Sequence, residues 1–187
     1  MRKKKLDRRV KMSKSFLKEA LISLLEKKHI SEITVKELCE LADVNRSTFY
    51  AHYEHLYDLL NEMENDIISE LKRALHSYMS VQGNNALLLI ENLIEFIGSK
   101  PSTCEVLLSP NSNISFEKKI RNIVHQSLLS DWKEASLIEE RYFDYISAFL
   151  ISGSIEVVKT WLQNNRDQTP QEIAHLIYHL ANQGIAR

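Results

Sequence analysis

The chain has 187 residues, 44% of them hydrophobic, and its 24 Lys and Arg nearly balance its 25 Asp and Glu. This length and composition predict a globular chain of one or two domains with a sizeable core. Four glycines and three prolines in the whole chain favour an all-α protein. No apolar run approaches the roughly 18 residues of a membrane span, and the start is charged, so we expect neither a membrane protein nor a secreted one. Two cysteines are too few for a disulfide framework and indicate a reducing cytoplasm.

The charge is divided unevenly along the chain. Residues 1–53 carry 13 Lys or Arg against 7 acids, whereas residues 54–187 carry 11 against 18. We call residues 1–53 the head. Because the head is basic and the rest of the chain is acidic, we expect only the head to contact a polyanion.

Two helices are predicted before residue 43. Apolar residues at helical spacing indicate the first from about Val10 to Lys28. Thr34 followed three residues later by Glu37 forms a capping box, so a second helix begins at Val35. Its inward face is formed by Val35, Leu38 and Ala42.

A tight turn and a short polar helix follow. Asp43 ends the second helix, because Asp tolerates the left-handed conformation that a sharp turn requires. Asn45 is a good N-cap for the next helix, and Phe49 is its inward anchor. The polar surface of this helix would consist of Arg46, Ser47, Thr48, Tyr50 and His52. Such a helix suits the major groove of DNA, where Arg can fork onto guanine and Ser or Thr can reach base edges.

Residues 34–53, TVKELCELADVNRSTFYAHY, resemble the helix-turn-helix of the TetR family of bacterial transcriptional regulators, with matches at Ala42, Val44, Thr48, Phe49 and Tyr50. The resemblance implies a double-stranded DNA operator as partner. It also implies a DNA-binding set made of Thr34, Lys36, Asn45, Arg46, Ser47, Thr48, Tyr50, His52 and Tyr53. Two positions depart from the family pattern: the usual turn Gly is Asp43, and a Lys that holds a phosphate is replaced by Leu56.

The rest of the chain continues as helices. Predicted helices cover about 55–79, 86–97, 103–109, 116–132 and 141–164, and a last one is opened by a capping box and a proline at residues 169–172. The count is about nine helices and no strand. We therefore predict a three-helix helix-turn-helix domain over residues 1–54, a connecting helix over 55–79, and a helical regulatory and dimerisation domain over 80–187.

The C-terminal half resembles a subgroup of the family that regulates dihydroxyacetone kinase operons. The resemblance rests on a glycine in the penultimate helix, a Trp-Leu pair near its end, a polar loop and a P-x-E-[IL] start to the last helix. The resemblance to the TetR family as a whole implies a homodimer and control by a small-molecule effector of unknown chemistry. The apolar residues expected at the dimer interface are Phe149, Ile151, Val158, Trp161, Leu162, Ile173, Leu176, Ile177 and Leu180.

The sequence gives little support for catalysis, for a cofactor or for a metal site. The four glycines are too scattered for a phosphate-binding loop, and Cys104 has no activating partner in the sequence, so we expect no catalytic residues, no cofactor and no enzyme. His175 and His179 share a helical face but lack a third ligand, so we expect no metal site. Six aromatics could line a cavity or fill a core: Phe96, Trp132, Tyr142, Tyr145, Phe149 and Trp161.

The alternative function is a helical co-regulator that acts through a partner protein and binds DNA weakly or not at all.

Overall fold

The computed structural model describes the backbone of residues 2–82, 85–135 and 139–183, and the side chains of residues 9–76, 85–126 and 139–183. Within these ranges the chain forms nine α-helices and one short 3₁₀ helix, and no strand, which confirms the all-α prediction. The helices are α1 (Arg2–Leu25), α2 (Val35–Leu41), α3 (Arg46–Tyr50), α4 (Leu56–Gln82), α5 (Ala86–Ser99), α6 (Pro101–Leu108), α7 (Ser115–Ala135), α8 (Glu140–Gln163) and α9 (Pro170–Gln183), with the 3₁₀ helix at Ile30–Glu32.

The largest difference from the predicted helices is at the start of the chain. Helix α1 begins at Arg2 and not near Val10, because the charged residues before Val10 are good helix formers that carry no apolar spacing to reveal them. It ends at Leu25, earlier than the predicted Lys28. The 3₁₀ helix after it was not predicted; His29 caps it by accepting from the amide of Ser31.

The chain divides into two compact units. The first comprises residues 1–67 and Val106–Ile114, and the second comprises residues 68–105 and 115–187. The division therefore falls inside α4, between Ile67 and Ile68. The segment Val106–Ile114 falls in the first unit, whereas the sequence predicts a C-terminal domain over residues 80–187 that includes it.

In the first unit, α1 packs on α2 and α2 packs on α3. Its core is formed by fully buried side chains from four helices: Leu17, Leu21, Leu25, Leu38, Phe49, Leu59 and Leu60. Since α2 and α3 are too short to be stable alone, this shared apolar core holds them in place.

In the second unit, α5 packs on α9, and α8 packs on both α7 and α9. Helix α5 buries Leu89, Leu93, Ile94 and Ile97 along one face. The thiol of Cys104 is also buried, which raises its pKa to about 12. No helix in the described ranges is long and apolar enough to cross a membrane.

Gly98 is required where α5 meets the Trp161 ring of α8. A methyl group added at Gly98 would lie 2.9 Å from Cη2 of Trp161 and 3.7 Å from Cγ of Pro170. The ring cannot turn aside freely, because Trp161 Nε1 donates to the carbonyl of Gln168 at 2.8 Å.

We expect Gly98→Ala to lower the free energy of unfolding by about 1–3 kcal/mol, because overpacking outweighs the better helix propensity of Ala. Urea unfolding followed by circular dichroism measures this. Ser102→Ala, at an exposed position of α6, is the control and should change stability by no more than about 0.5 kcal/mol. An unchanged unfolding midpoint for Gly98→Ala would contradict the close contact with Trp161.

Candidate nucleic-acid interface

Helix α2 begins at the predicted cap. Thr34 Oγ1 accepts a hydrogen bond from the Glu37 amide at 3.2 Å, which is one half of the predicted capping box. The carboxylate of Glu37 has a different partner: Glu37 Oε2 accepts from Lys28 Nζ at 2.6 Å, and this contact lowers the pKa of Glu37. An ion pair to the preceding connection thus replaces the return bond to Thr34.

The turn between α2 and α3 has the geometry expected of it. Asp43 has a φ of 51°, in the left-handed region that Asp and Asn tolerate better than most residues. The amide of Val44 then donates to the carbonyl of Cys39 at 3.0 Å, which closes the turn. Asp43 therefore takes the role of the Gly that is usual in the family pattern.

Helix α3 has only five residues and is fixed at both its start and its inner face. Asn45 Oδ1 accepts from the amide and the hydroxyl of Ser47, both at 3.0 Å. Phe49 is fully buried, and its ring centroid lies 5.4 Å from that of Tyr50 in an edge-to-face contact. Three other side chains of the helix are exposed: Arg46, Ser47 and Tyr50, the last at 59%.

Seven of the nine residues of the expected DNA-binding set are exposed on the first unit: Thr34, Lys36, Asn45, Arg46, Ser47, Tyr50 and His52. Thr48 is half-buried. Six of the nine, from Asn45 to His52, are brought together by the turn and α3.

Tyr53 differs from the expectation. It is 4% exposed, its hydroxyl oxygen is buried, and its ring centroid lies 5.5 Å from that of Phe49. Burial, together with the nearby carboxylate of Glu62, raises the pKa of Tyr53. The side chain is thus part of the core beneath α3 and cannot reach a phosphate from this position. Leu56, which replaces the family Lys, is buried in the same way.

A cluster of charges that no sequence motif indicated joins α1 to α4. Glu62 accepts from Lys14 Nζ at 2.7 Å and from Lys18 Nζ at 2.9 Å, and Lys18 also pairs with Asp66 at 2.6 Å. Lys14 Nζ lies 5.0 Å from the centroid of the Tyr53 ring, within cation–π distance. Partial burial alone would raise the pKa of Glu62, but the hydrogen bonds from the two lysines outweigh it and lower the pKa to about 2.

The lowered pKa of Glu62 predicts an acid-sensitive contribution to stability. The contribution is complete above the ordinary Glu pKa of 4.5 and is lost as the pH falls from there towards 2. Because the pair is partly exposed, we expect about 1–2 kcal/mol of unfolding free energy.

Urea unfolding of the native protein and of Glu62→Gln at several pH values measures this contribution. At pH 7 the native protein should be the more stable, and the difference should shrink towards pH 2. If the native protein and Glu62→Gln differ in unfolding free energy by the same amount at pH 7 and at pH 2, the ion-pair account is contradicted.

The residues expected at the dimer interface fall into two groups in the second unit. Ile151, Val158, Trp161, Leu162, Ile173 and Ile177 are buried within the protomer itself, so they form the core that joins α8 and α9 to their neighbours. Phe149, Leu176 and Leu180 are exposed, at 77%, 47% and 58%. Tyr145, at 76%, is a further exposed aromatic on α8 that the interface prediction omitted.

The two histidines predicted to share a face of α9 lie side by side, and His175 is close to an acidic side chain of α5. His175 Nε2 lies 3.3 Å from a carboxylate oxygen of Glu91, and the rings of His175 and His179 are 6.4 Å apart. Among the residues with described side chains, no group of three or more His, Cys, Asp or Glu is arranged to hold a metal ion.

The first unit defines a helix-turn-helix class of protein: two short capped helices, a turn with a left-handed residue, and an exposed polar face on the second helix. A family model for the C-terminal region of TetR-type transcriptional regulators matches residues 84–183, more than half of the chain. The chain therefore belongs to the TetR family of transcriptional regulators.

Similar proteins agree with this assignment. The chain is 23% identical over 173 residues to YxbF, an uncharacterised HTH-type transcriptional regulator of Bacillus subtilis (strain 168); the match covers 89% of this chain but only 44% of YxbF. A TetR transcriptional regulator from Streptococcus agalactiae 2603V is 25% identical, with a TM-score of 0.69 over 94% of this chain and 97% of that one. DhaS, a dihydroxyacetone kinase operon activator, has a TM-score of 0.56 at 13% identity over 92% of this chain and 96% of its own, which shows a shared fold alone. The subgroup stays a prediction.

Proposed function

We propose that this protein is a DNA-binding transcriptional regulator whose α3 enters the major groove of an operator. The observation that carries the proposal is that α3 is anchored by one fully buried side chain, Phe49, while Arg46 and Ser47 at its start are exposed to solvent. Arg can donate two hydrogen bonds to guanine, and Ser can reach a base edge or a phosphate. Exposed Lys36 and His52 flank this face and would hold phosphates.

The main alternative is a helical co-regulator that acts through a partner protein. Its support is that Leu56, where the family pattern has a phosphate-binding Lys, is buried, and that the hydroxyl of Tyr53, which was expected to contact DNA, is buried as well. A gel-shift experiment with the DNA upstream of the protein's own gene separates the two functions. The regulator retards this DNA in the presence of excess random competitor, whereas the co-regulator does not.

We expect Arg46→Ala to weaken binding to the operator by about 1–3 kcal/mol and to leave binding to random DNA nearly unchanged. The reason is that a base contact contributes only where the correct base is present. Fluorescence anisotropy with labelled duplexes measures both affinities. Arg73→Ala, on α4 in the second unit, is a control that removes the same charge elsewhere and should not change the ratio of the two affinities. Equal losses on both duplexes for Arg46→Ala would assign Arg46 to a phosphate.

We further propose that the protein works as a homodimer through the exposed faces of α8 and α9. Tyr145 and Phe149 on α8 and Leu176 and Leu180 on α9 expose large apolar side chains in the second unit. Gly153 on α8 supports the proposal, because a methyl group added there would meet no atom within 4 Å. A glycine inside a helix costs about 0.5–1 kcal/mol relative to Ala, and no contact with the described residues of the protomer requires it. Close approach of a second copy would explain it.

The dimer predicts a pseudo-palindromic operator with half-sites about 34–36 Å apart or slightly more. We expect the double variant Phe149→Asp, Leu180→Asp to be monomeric and to lose operator binding, because it places four charges in the paired face. Light scattering at micromolar concentration measures the mass. Tyr57→Asp, at an exposed position of the first unit, is the control and should remain dimeric. A native protein that is already monomeric would contradict the proposal.

Regulation by a small molecule bound in residues 80–187 is also part of the proposed function, together with a cytoplasmic location and the absence of catalysis. Of the six aromatics considered for a cavity, Tyr142, Tyr145 and Phe149 are exposed, Trp161 is in the core, Phe96 is half-buried, and Trp132 lies outside the described side chains. The six aromatics therefore do not line a common cavity within the described side chains. A metabolite panel screened for release of operator DNA tests for an effector; if no compound releases the DNA, the regulatory part of the proposal fails.

A further inference from the structure

A short turn between α6 and α7 presents Asn111 in a fixed orientation. Ser109 Oγ donates to the carbonyl of Val106 at 2.8 Å and accepts from the amide of Asn111 at 3.2 Å. The amide of Ser112 donates to the carbonyl of Ser109 at 3.3 Å. These contacts, with Leu107 and Ser112 fully buried on either side, hold the turn in the first unit.

Asn111 forms hydrogen bonds with two helix ends: the last residue of α1 and the first residue of the 3₁₀ helix. Its Nδ2 donates to the carbonyl of Leu25, the last residue of α1, at 2.9 Å. Its own carbonyl accepts from the amide of Ile30, the first residue of the 3₁₀ helix, at 2.8 Å. Helix ends leave such groups without partners inside the helix, and nearby residues usually satisfy them. Here Asn111, 86 positions after Leu25 in the chain, provides the partner. Leu25 and Ile30 are both buried.

The connection that Asn111 holds leads directly into the helix-turn-helix. Lys28, between the two contacts, forms its ion pair with Glu37 of α2 at 2.6 Å. After the 3₁₀ helix, the amide of Ile33 donates to the carbonyl of Ile30, and Thr34 then caps α2. The path from Asn111 to α2 therefore consists of consecutive hydrogen bonds and one ion pair, with no long unsupported segment.

We propose that Asn111 is a positioning residue for operator recognition: it fixes the connection between α1 and α2 and so sets the placement of α2 and α3 on DNA. The inference rests on the proposed DNA-binding function. Since residues 106–114 comprise the end of α6 and the turn before α7, a segment from the C-terminal half of the chain is part of the first unit. The unit that reads DNA is then incomplete as residues 1–67 alone.

Asn111→Ala tests the proposal in the full chain. It removes the donor to Leu25, so the connection opens more often and only a fraction of the molecules remains competent for the operator. We expect operator affinity to fall about tenfold, as the loss of a partly buried hydrogen bond allows, with random-DNA affinity within about twofold of the native value. Asn122→Ala, at an exposed position of α7, is the matched control and should leave both affinities unchanged.

A role in stability alone would lower the unfolding temperature and leave the ratio of operator to random affinity unchanged at temperatures where the variant is folded; that result overturns the proposal. If the native protein itself shows no operator preference, the proposed function fails instead, and the two failures are distinct.

Hydrogen exchange at the Ile30 amide provides a second measurement that needs no variant. Operator DNA, which selects the closed connection, should slow this exchange more than random duplex at equal occupancy. Equal protection by the two duplexes would overturn the proposal even if Asn111→Ala does not fold.

Discussion

Burial of Phe49 is the interaction on which the exposed surface of α3 depends, and this is the surface proposed to contact DNA. A five-residue helix has too few internal hydrogen bonds to persist on its own, so α3 exists because one ring is held in the core and Asn45 caps its start. With Phe49 fixed inside, helical geometry directs Ser47, two positions earlier, away from the core, and Arg46 is exposed at the first position of the helix. Tyr53 completes the support from below, which explains why it is buried and not available to phosphate.

The basic charge of the head has two uses. Lys14 and Lys18 on α1 are paired with Glu62 and Asp66 on α4, and Lys28, in the connection after α1, is paired with Glu37 on α2. These lysines therefore stabilise the first unit itself. A count of charges along the chain therefore overstates the number of cations that DNA could meet. The exposed Arg46 and Lys36 are better candidates, because their surroundings leave them at the surface.

Local signals in the sequence predicted the local structure well. The caps at Thr34, Asn45 and Thr169 and the left-handed turn at Asp43 depend on residues within three or four positions of one another, and the structure contains each of them, with Glu37 redirected to Lys28. What could not be predicted depends on tertiary packing. Asn111 contacts residues far away in the chain, and helical spacing on α8 and α9 does not distinguish a core face from an interface face. For that reason six of the nine expected interface residues are core residues of the protomer.

Selection of bound sequences from a pool of random duplex DNA tests the central claim most directly, because it assumes no target. The account predicts that the full-length protein enriches a pseudo-palindrome with half-sites about one helical turn apart or slightly more. It also predicts that Arg46→Ala loses preference at particular base pairs within each half-site. A pool that remains random after repeated rounds, with the protein folded, would contradict operator recognition by α3 and favour the co-regulator.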